Sequence, residues 1–289
     1  MASTRVLKSR IRSVSNTKQI TKAMQMVAAS KMRRAQENEK ATAPYADSAR
    51  EILTYLSSQG ATDDHPLFKE REVKKRLIVV IAADKGLAGA YNSNVMKFYV
   101  QTLRENDHHA QDQTIAIGKR AAHFVTRIKE TNVLGTYEDI ADQPSGNELK
   151  SIVDTVINKF LSGDVDAVDV VYTKFVNSMI QTPVKQRILP AGFEASETIS
   201  QQVRDAEYEP SVEVVLDGIV HRLISSQVYQ AILDAKASEW SMRMMAMKNA
   251  TDNATDVIAD LTLEMNKARQ GAITQELAEI SGGVEAMNN

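Results

Sequence analysis

The sequence predicts an α/β protein in which two long terminal helices form an antiparallel coiled coil, with an α/β domain of mainly parallel sheet inserted between them. Three observations carry that expectation. Residues 211–282 run about seventy positions with Gly218 and Gly271 as the only helix breakers short of the closing Gly282, and Pro210 is the last proline of the chain. Residues 1–36 hold nine basic side chains and no acidic one, on a second helical period. Between these ends, short apolar runs alternate with helical segments, the order that builds a helix-covered parallel sheet.

In the first helix Leu7, Ile11, Val14, Ile20, Met24 and Val27 follow near-heptad spacing, which reads as an amphipathic basic helix. It continues past Pro44, where a kink is allowed, through Ile52, Leu53 and Leu56 to about Ser58. The first segment is therefore 1–58, and Gly60 to Pro66 is a loop. An organelle presequence would share this composition, but the pattern runs on as one helix with no cleavage region. Nucleic-acid binding would use the same charges, yet no aromatic residue interleaves them before Tyr45. The favoured reading is a basic helix that meets an acidic protein surface. Residues 211–289 carry eleven acidic side chains against six basic ones, so the two ends are complementary in sign.

The middle, from about 75 to 195, reads as a Rossmann-like α/β domain. Leu77 to Ile81 is a continuous apolar run, expected of a strand buried on both faces. Further strands are expected at 114–117, 132–134, 167–172 and 184–189, with helices at 92–106, 119–130 and 146–162. Ser145 and Glu148 have capping-box spacing ahead of the third helix. Residues 193–210, rich in Glu, Ser and Gln, form a return linker.

The last helix belongs to a segment spanning 208–285 that pairs with 1–58. Ser211, Glu213 and Val214 mark its start. Apolar residues recur in threes and fours from Val212 through Ile232, Trp240, Met247, Ile258 and Met265 to Ile280, with a drift around Ala246–Ala254. At 1.5 Å per residue a straight helix of this length would span about 105 Å. A helix that long is a shaft, a strut or a fibre.

Composition excludes several classes. The net charge of −2 calls for neither nucleic acid nor an acidic membrane, and the absence of cysteine excludes disulfides, zinc–thiolate sites and thiol catalysis. No run approaches eighteen apolar residues, so membrane association is expected only through partners.

Candidate chemistry is sparse. Gly86 and Gly89 follow the first strand, where backbone N–H groups can meet phosphate, but the pattern is neither of the glycine-rich phosphate motifs. A structural turn is the favoured reading, one that Asp84 and Lys85 could equally tie together as an ion pair. His65, His108, His109, His123 and His221 lack ligand spacing, and Asp164, Asp166 and Asp169 fall around a helix-to-strand turn. Met242, Met244, Met245 and Met247 read first as packing residues, with a compliant partner surface as the functional alternative. No catalytic residue, cofactor or metal is expected.

Both ends of the chain resemble one family. Arg12 to Thr17 with Ile20 to Met32, and Arg243-Met244, Ala246-Met247, Ala250 to Ala254, Asn266 to Gln270 and Ile273 to Ile280, are similar to the terminal motifs of the gamma subunits of F-type ATP synthases. Asp84 to Gly89 and Tyr208 to Ser211 look like that family's internal landmarks, so the resemblance covers essentially the whole chain. Departures are the Lys18-Gln19 order, Gly271 and Gly283 in place of better helix formers, and Ala88 where some members have cysteine.

The resemblance implies a central rotor shaft that couples rotation of a proton-driven c-ring to ATP synthesis or hydrolysis on beta subunits and is itself non-catalytic. Its implied partners are three alpha and three beta subunits, the epsilon subunit and the c-ring. By motif match, Met24 and Arg243 would lie near an acidic lever on beta, and Arg269, Gln270 and Thr274 would contact a beta loop nearer the tip. Tyr208 and Glu209 would sit toward the c-ring and epsilon. Torque needs an eccentric shaft, so the C-terminal tip with Ile273, Leu277 and Ile280 is expected to outrun the first helix and turn in an apolar sleeve. The family motif begins within a dozen residues of Met1, so the cytoplasmic side of a bacterial plasma membrane is the expected location. Two rivals make different expectations. A nucleotide-dependent enzyme would bind ATP or NAD in residues 70–195, and a coiled-coil homodimer would sustain regular heptads.

Overall fold

The structure is a computed structural model that describes residues 4–105, 111–128, 131–193, 195–196, 199–206 and 208–287, apart from the side chains of 39–47 and 282–287. Eleven elements follow one another among these residues: α1 (Thr4–Ser58), β1 (Arg76–Ile81), α2 (Tyr91–Arg104), β2 (Gln113–Ile117), α3 (Lys119–Val125), β3 (Asn132–Tyr137), α4 (Gly146–Leu161), β4 (Ala167–Phe175), β5 (Gln181–Leu189), α5 (Gln201–Arg204) and α6 (Val212–Met287). The mixed α/β class and all five expected strands are present. Several boundaries differ from the sequence reading: α3 stops at Val125 rather than near 130, β3 runs on to Tyr137, β4 runs on to Phe175 and β5 begins at Gln181, and the return linker contains the single turn α5.

The sheet order is β3-β2-β1-β4-β5, parallel except for the β4–β5 hairpin. Every residue of β1 is buried, as its apolar run requires of a central strand. Alternate side chains serve two cores. Ile78 and Val80 face Val95, Met96, Tyr99 and Val125 of α2 and α3. Leu77, Val79 and Ile81 join Ile152, Val156 and Phe160 of α4 with Leu216, Val220, Ile224 and Val228 of α6. Leu53 and Leu56 near the end of α1 enter that second core, while Lys31 lies over the Trp240 ring at 4.6 Å. Positions that rise along α1 therefore meet positions that fall along α6, and the two helices are antiparallel. The Ser145–Glu148 capping box forms in both directions and starts α4.

The chain divides into two compact units, Met1–Ala28 with Arg243–Asn289, and Ala29–Met242. In the first unit the covered row on α1 is Leu7, Ile11, Val14, Lys18, Thr21, Gln25 and Ala28, in steps of four and three. Ile20 and Val27, expected in that row, are 60% and 54% exposed. Apolarity suggested them, but Lys18, Thr21 and Gln25 hold the slots that strict 4–3 spacing demands. The facing row on α6 is Met247, Thr251, Ala254, Ile258, Leu261, Met265 and Ala268, with the same steps. The drift read around Ala246–Ala254 is thus one of chemistry and not of geometry, because a threonine occupies the slot at 251.

Candidate interaction surfaces and the closed sheet crevice

In an open α/β sheet a ligand binds outside the carboxyl ends of the strands where the winding direction reverses. Here that point lies between β1 and β4, because β2 and β3 extend the sheet to one side and β4 and β5 to the other. The chain's own α6 lies over the carboxyl ends of the strands. Beside that point Ile232, Ala235, Lys236 and Glu239 face the ends of β1 and β2 (Ile81, Ala82, Asp84, Ile117, Gly118) and Ile140 across a cavity of about 10 Å3. That is room for about one water molecule, against the ~300–1,000 Å3 of ligand pockets. The Ser238 hydroxyl donates to the Thr173 carbonyl at 3.0 Å, and Met242 packs on Ala83, Ala88 and Tyr91.

The glycine turn after β1 is built around Asp84. Its Oδ1 accepts from the backbone N–H groups of Lys119 (3.0 Å) and Asp139 (3.1 Å), and Lys236 Nζ stands 3.8 Å from Oδ2. The carboxylate therefore joins three segments at the crevice, whereas the ion pair allowed by the sequence would have tied it to its neighbour Lys85. Gly118 closes the same corner with φ +92°. A Cβ there would stand 2.1 Å from the Ala82 carbonyl oxygen, so only glycine fits.

The β3–α4 loop makes the most connected polar cluster of this region. Asp142 Oδ2 accepts from Lys31 Nζ of α1 at 2.7 Å, and Oδ1 accepts from Trp240 Nε1 of α6 at 3.1 Å. Burial works against the Asp142 charge, but the donors from Lys31 and Trp240 overcome it and hold the carboxyl below its ordinary value. One turn earlier on α6, Lys236 Nζ donates to the Ile140 carbonyl at 3.1 Å. Sequence reasoning passed over this cluster. The signal available was the lone tryptophan of the chain, on a helix expected to face a basic one.

The residues singled out from the sequence fall into separate places. Arg269, Gln270 and Thr274 are exposed on α6, and the Thr274 hydroxyl donates to the Gln270 carbonyl at 2.9 Å. Met24 is half-buried and Arg243 is buried, 4% exposed. Tyr208 stacks on Tyr55 with centroids 6.3 Å apart and donates to the Val203 carbonyl at 3.0 Å, next to the exposed Glu209. Burial, and then the neighbouring Tyr55, push the Tyr208 phenol up. Of the four methionines, Met247 is buried, Met242 and Met244 are half-buried and Met245 is exposed.

The remaining polar groups serve structure. Asp164 pairs with Lys159, which lowers its carboxyl, Asp166 accepts from the N–H groups of Lys74 and Lys75, and Asp169 pairs with Arg187. His65 Nε2 meets Asp217 at 2.8 Å and His221 Nε2 meets Asp154 at 3.4 Å, partners that sequence spacing did not reveal. His108 and His109 lie outside the described residues. Among the described residues no group of His, Cys, Asp and Glu is placed to hold a metal ion, and no helix is long and apolar enough to cross a membrane.

Comparison with known proteins gives one consistent answer. A family model described as ATP synthase matches residues 3–287. An ATP synthase gamma chain of Legionella pneumophila (strain Corby) is 41% identical over 290 residues, covering 99% of this chain and 100% of that one. One from Staphylococcus saprophyticus is 40% identical over 288 residues, with the same coverage. The fold is shared with a chain of the Euglena gracilis mitochondrial ATP synthase (TM-score 0.66, 18% identity, 98% of this chain and 94% of that one). It is shared also with a chain of the central stalk and c-ring of the Tetrahymena thermophila enzyme (TM-score 0.60, 23% identity, 80% and 99%).

Proposed function

The chain belongs to the ATP synthase gamma chain family, and from that premise we propose that α1 and α6 turn as a shaft within a ring of three alpha and three beta subunits. The protein is the non-catalytic central rotor of an F-type ATP synthase. Proton flow through the c-ring turns the α/β domain, and the shaft passes that rotation to the nucleotide sites on beta. Residues 1–58 and 208–285 act as the coiled coil, and 75–195 as the domain that meets the c-ring and epsilon.

The observation that carries this reading is the end of α6. The covered row runs to Ala268, and residues 269–281 are then exposed on all sides, including Ile273, Leu277 and Ile280 at 50–65%. Apolar side chains on a lone helix need a housing, and a sleeve of alpha and beta subunits supplies one. Arg269, Gln270 and Thr274 lie at the start of this end and would touch a beta loop. Met24 and Arg243 belong to the level of the acidic beta lever, where the buried Arg243 would support the helix surface and the exposed basic side chains of α1 would meet the lever. Those contacts are weak one by one and screened by salt, which suits a surface that must let go at every step. Tyr208 and Glu209 would face the c-ring and epsilon. The relatives named are bacterial, which supports the cytoplasmic side of a bacterial plasma membrane, reached through the complex.

ATP hydrolysis by purified alpha and beta subunits, with and without this chain after size-exclusion chromatography, tests the reading. A three-to-three-to-one complex with raised sustained turnover is expected. Free elution of this chain with unchanged turnover would sink it.

A further inference from the structure

The apolar cores beneath α6 set its face toward the sheet, and directional bonds resist the small rotations that packing alone would allow under load. The Ser238 and Lys236 bonds tie α6 to the sheet side alone. Asp142 differs, since its two carboxylate oxygens reach two different helices, Lys31 of α1 at 2.7 Å and Trp240 of α6 at 3.1 Å. The Lys31 ammonium also sits 4.6 Å from the centre of the Trp240 ring, so each member touches both others. The loop that carries Asp142 is anchored in turn. Asp139, at φ +54°, donates its N–H to Asp84 while its carboxylate accepts from Lys119 Nζ at 2.7 Å, and the Ile140 carbonyl accepts from Lys236.

We propose that Asp142, Lys31 and Trp240 are positioning residues that lock α1 and α6 in rotational register with the sheet, so that turning of the α/β domain reaches both helices under load. The inference rests on the rotor reading above. The Lys31 and Asp142 side chains are 41% and 39% exposed, and an ion pair so exposed adds little to global stability. Its contribution is a fixed direction. Losing it leaves a folded chain whose shaft slips when the ring pushes against resistance, and leaves unloaded rotation unimpaired.

The test uses the full chain in two settings: the reassembled complex with alpha and beta subunits, and the whole ATP synthase in sealed vesicles. Asp142→Ala is expected to keep unloaded ATP hydrolysis within about twofold and to lower ATP-driven proton pumping at least threefold. Asp142→Asn, which keeps an acceptor oxygen and the shape of the side chain, is expected to recover at least half of that loss. Adding Lys31→Met to Asp142→Ala is expected to cause no further loss, since the two act as one contact. Should Asp142→Ala fail to fold, Trp240→Phe keeps an aromatic ring and deletes the N–H, and a pumping loss at unchanged hydrolysis is expected there too. Wild-type pumping in the folded Asp142→Ala or Trp240→Phe chain would overturn the proposal, as would hydrolysis falling in step with pumping. Failure of the wild-type chain to enter the complex would overturn the rotor reading itself, before any variant is compared.

Discussion

The hydroxyl oxygens of Thr21 and Thr251 stand 2.8 Å apart where α1 and α6 face each other. Each also lies within bonding distance of a carbonyl on its own helix, Lys18 at 3.0 Å and Met247 at 2.8 Å. Two hydroxyl protons serve three contacts, so one of the three bonds is always unmade. Valine has nearly the same shape and leaves both carbonyls their helical partners. Thr21→Val with Thr251→Val is therefore expected to shift stability by no more than about 1 kcal/mol, and upward. Thermal unfolding of the double variant checks this, and a loss above that size would mean the pair holds the helices together.

A buried ion pair behaves differently. Arg76 and Asp112 side chains are 6% and 0% exposed, joined at 2.7 Å, and the guanidinium also donates to the Thr102 carbonyl at 2.9 Å. Asp112→Ala strands the guanidinium and is expected to cost about 3–5 kcal/mol, whereas replacing both members with apolar residues is expected to cost far less. Urea unfolding of the three chains distinguishes these outcomes.

Two glycines give opposite signs. Gly118→Ala drives a Cβ into the Ala82 carbonyl and is expected to destabilise by more than about 3 kcal/mol. Gly271 lies inside α6 with nothing within 4 Å of the place a Cβ would take, so Gly271→Ala is expected to stabilise by about 0.5–1 kcal/mol. Thermal melts, with amide exchange across the α6 tip, read both.

The Asp142 carboxyl is held below its ordinary value of 3.8 in the folded chain. A group so depressed adds stability above its unfolded pKa and loses it as pH falls through the folded one. The gap in melting temperature between wild type and Asp142→Asn is therefore expected to be small at neutral pH, as befits a half-exposed pair, and to close as pH falls below about 4. Melts from pH 7 to pH 3 measure it, and a gap that widens on acidification would contradict the assignment.

At the exposed end of α6, Gln270→Ala with Thr274→Ala is expected to lower coupled ATP turnover of the reassembled complex by about tenfold, the effect of losing roughly 1.4 kcal/mol of contact. Retained turnover would count against the tip assignment.

Local chemistry made the strands and the long helices legible. Leu77 to Ile81 is the apolar run typical of a strand covered on both faces, and the Ser145–Glu148 spacing marked the start of α4 correctly. The covered row of α1 was half legible, because Lys18, Thr21 and Gln25 hold interior slots with polar side chains and Ile20 and Val27 advertise apolarity from outside it. The Asp142 cluster was illegible for another reason. Its members are 31, 142 and 240, and only the completed fold brings a loop carboxylate between two helices so far apart in the chain. The same holds for the Asp84 corner, whose partners at 119 and 139 belong to later loops.

The helix lying in the sheet crevice has a thermodynamic consequence. A nucleotide in such a crevice arrives from solution and leaves at its own dissociation rate, and its occupancy follows its concentration. Residues 232–242 are joined covalently to the sheet they fill, so their effective concentration is about millimolar or above and does not change when the protein is diluted. A local opening closes again as a first-order event, without a search through the solvent. Occupancy of this crevice is thus independent of the cell's supply of any ligand.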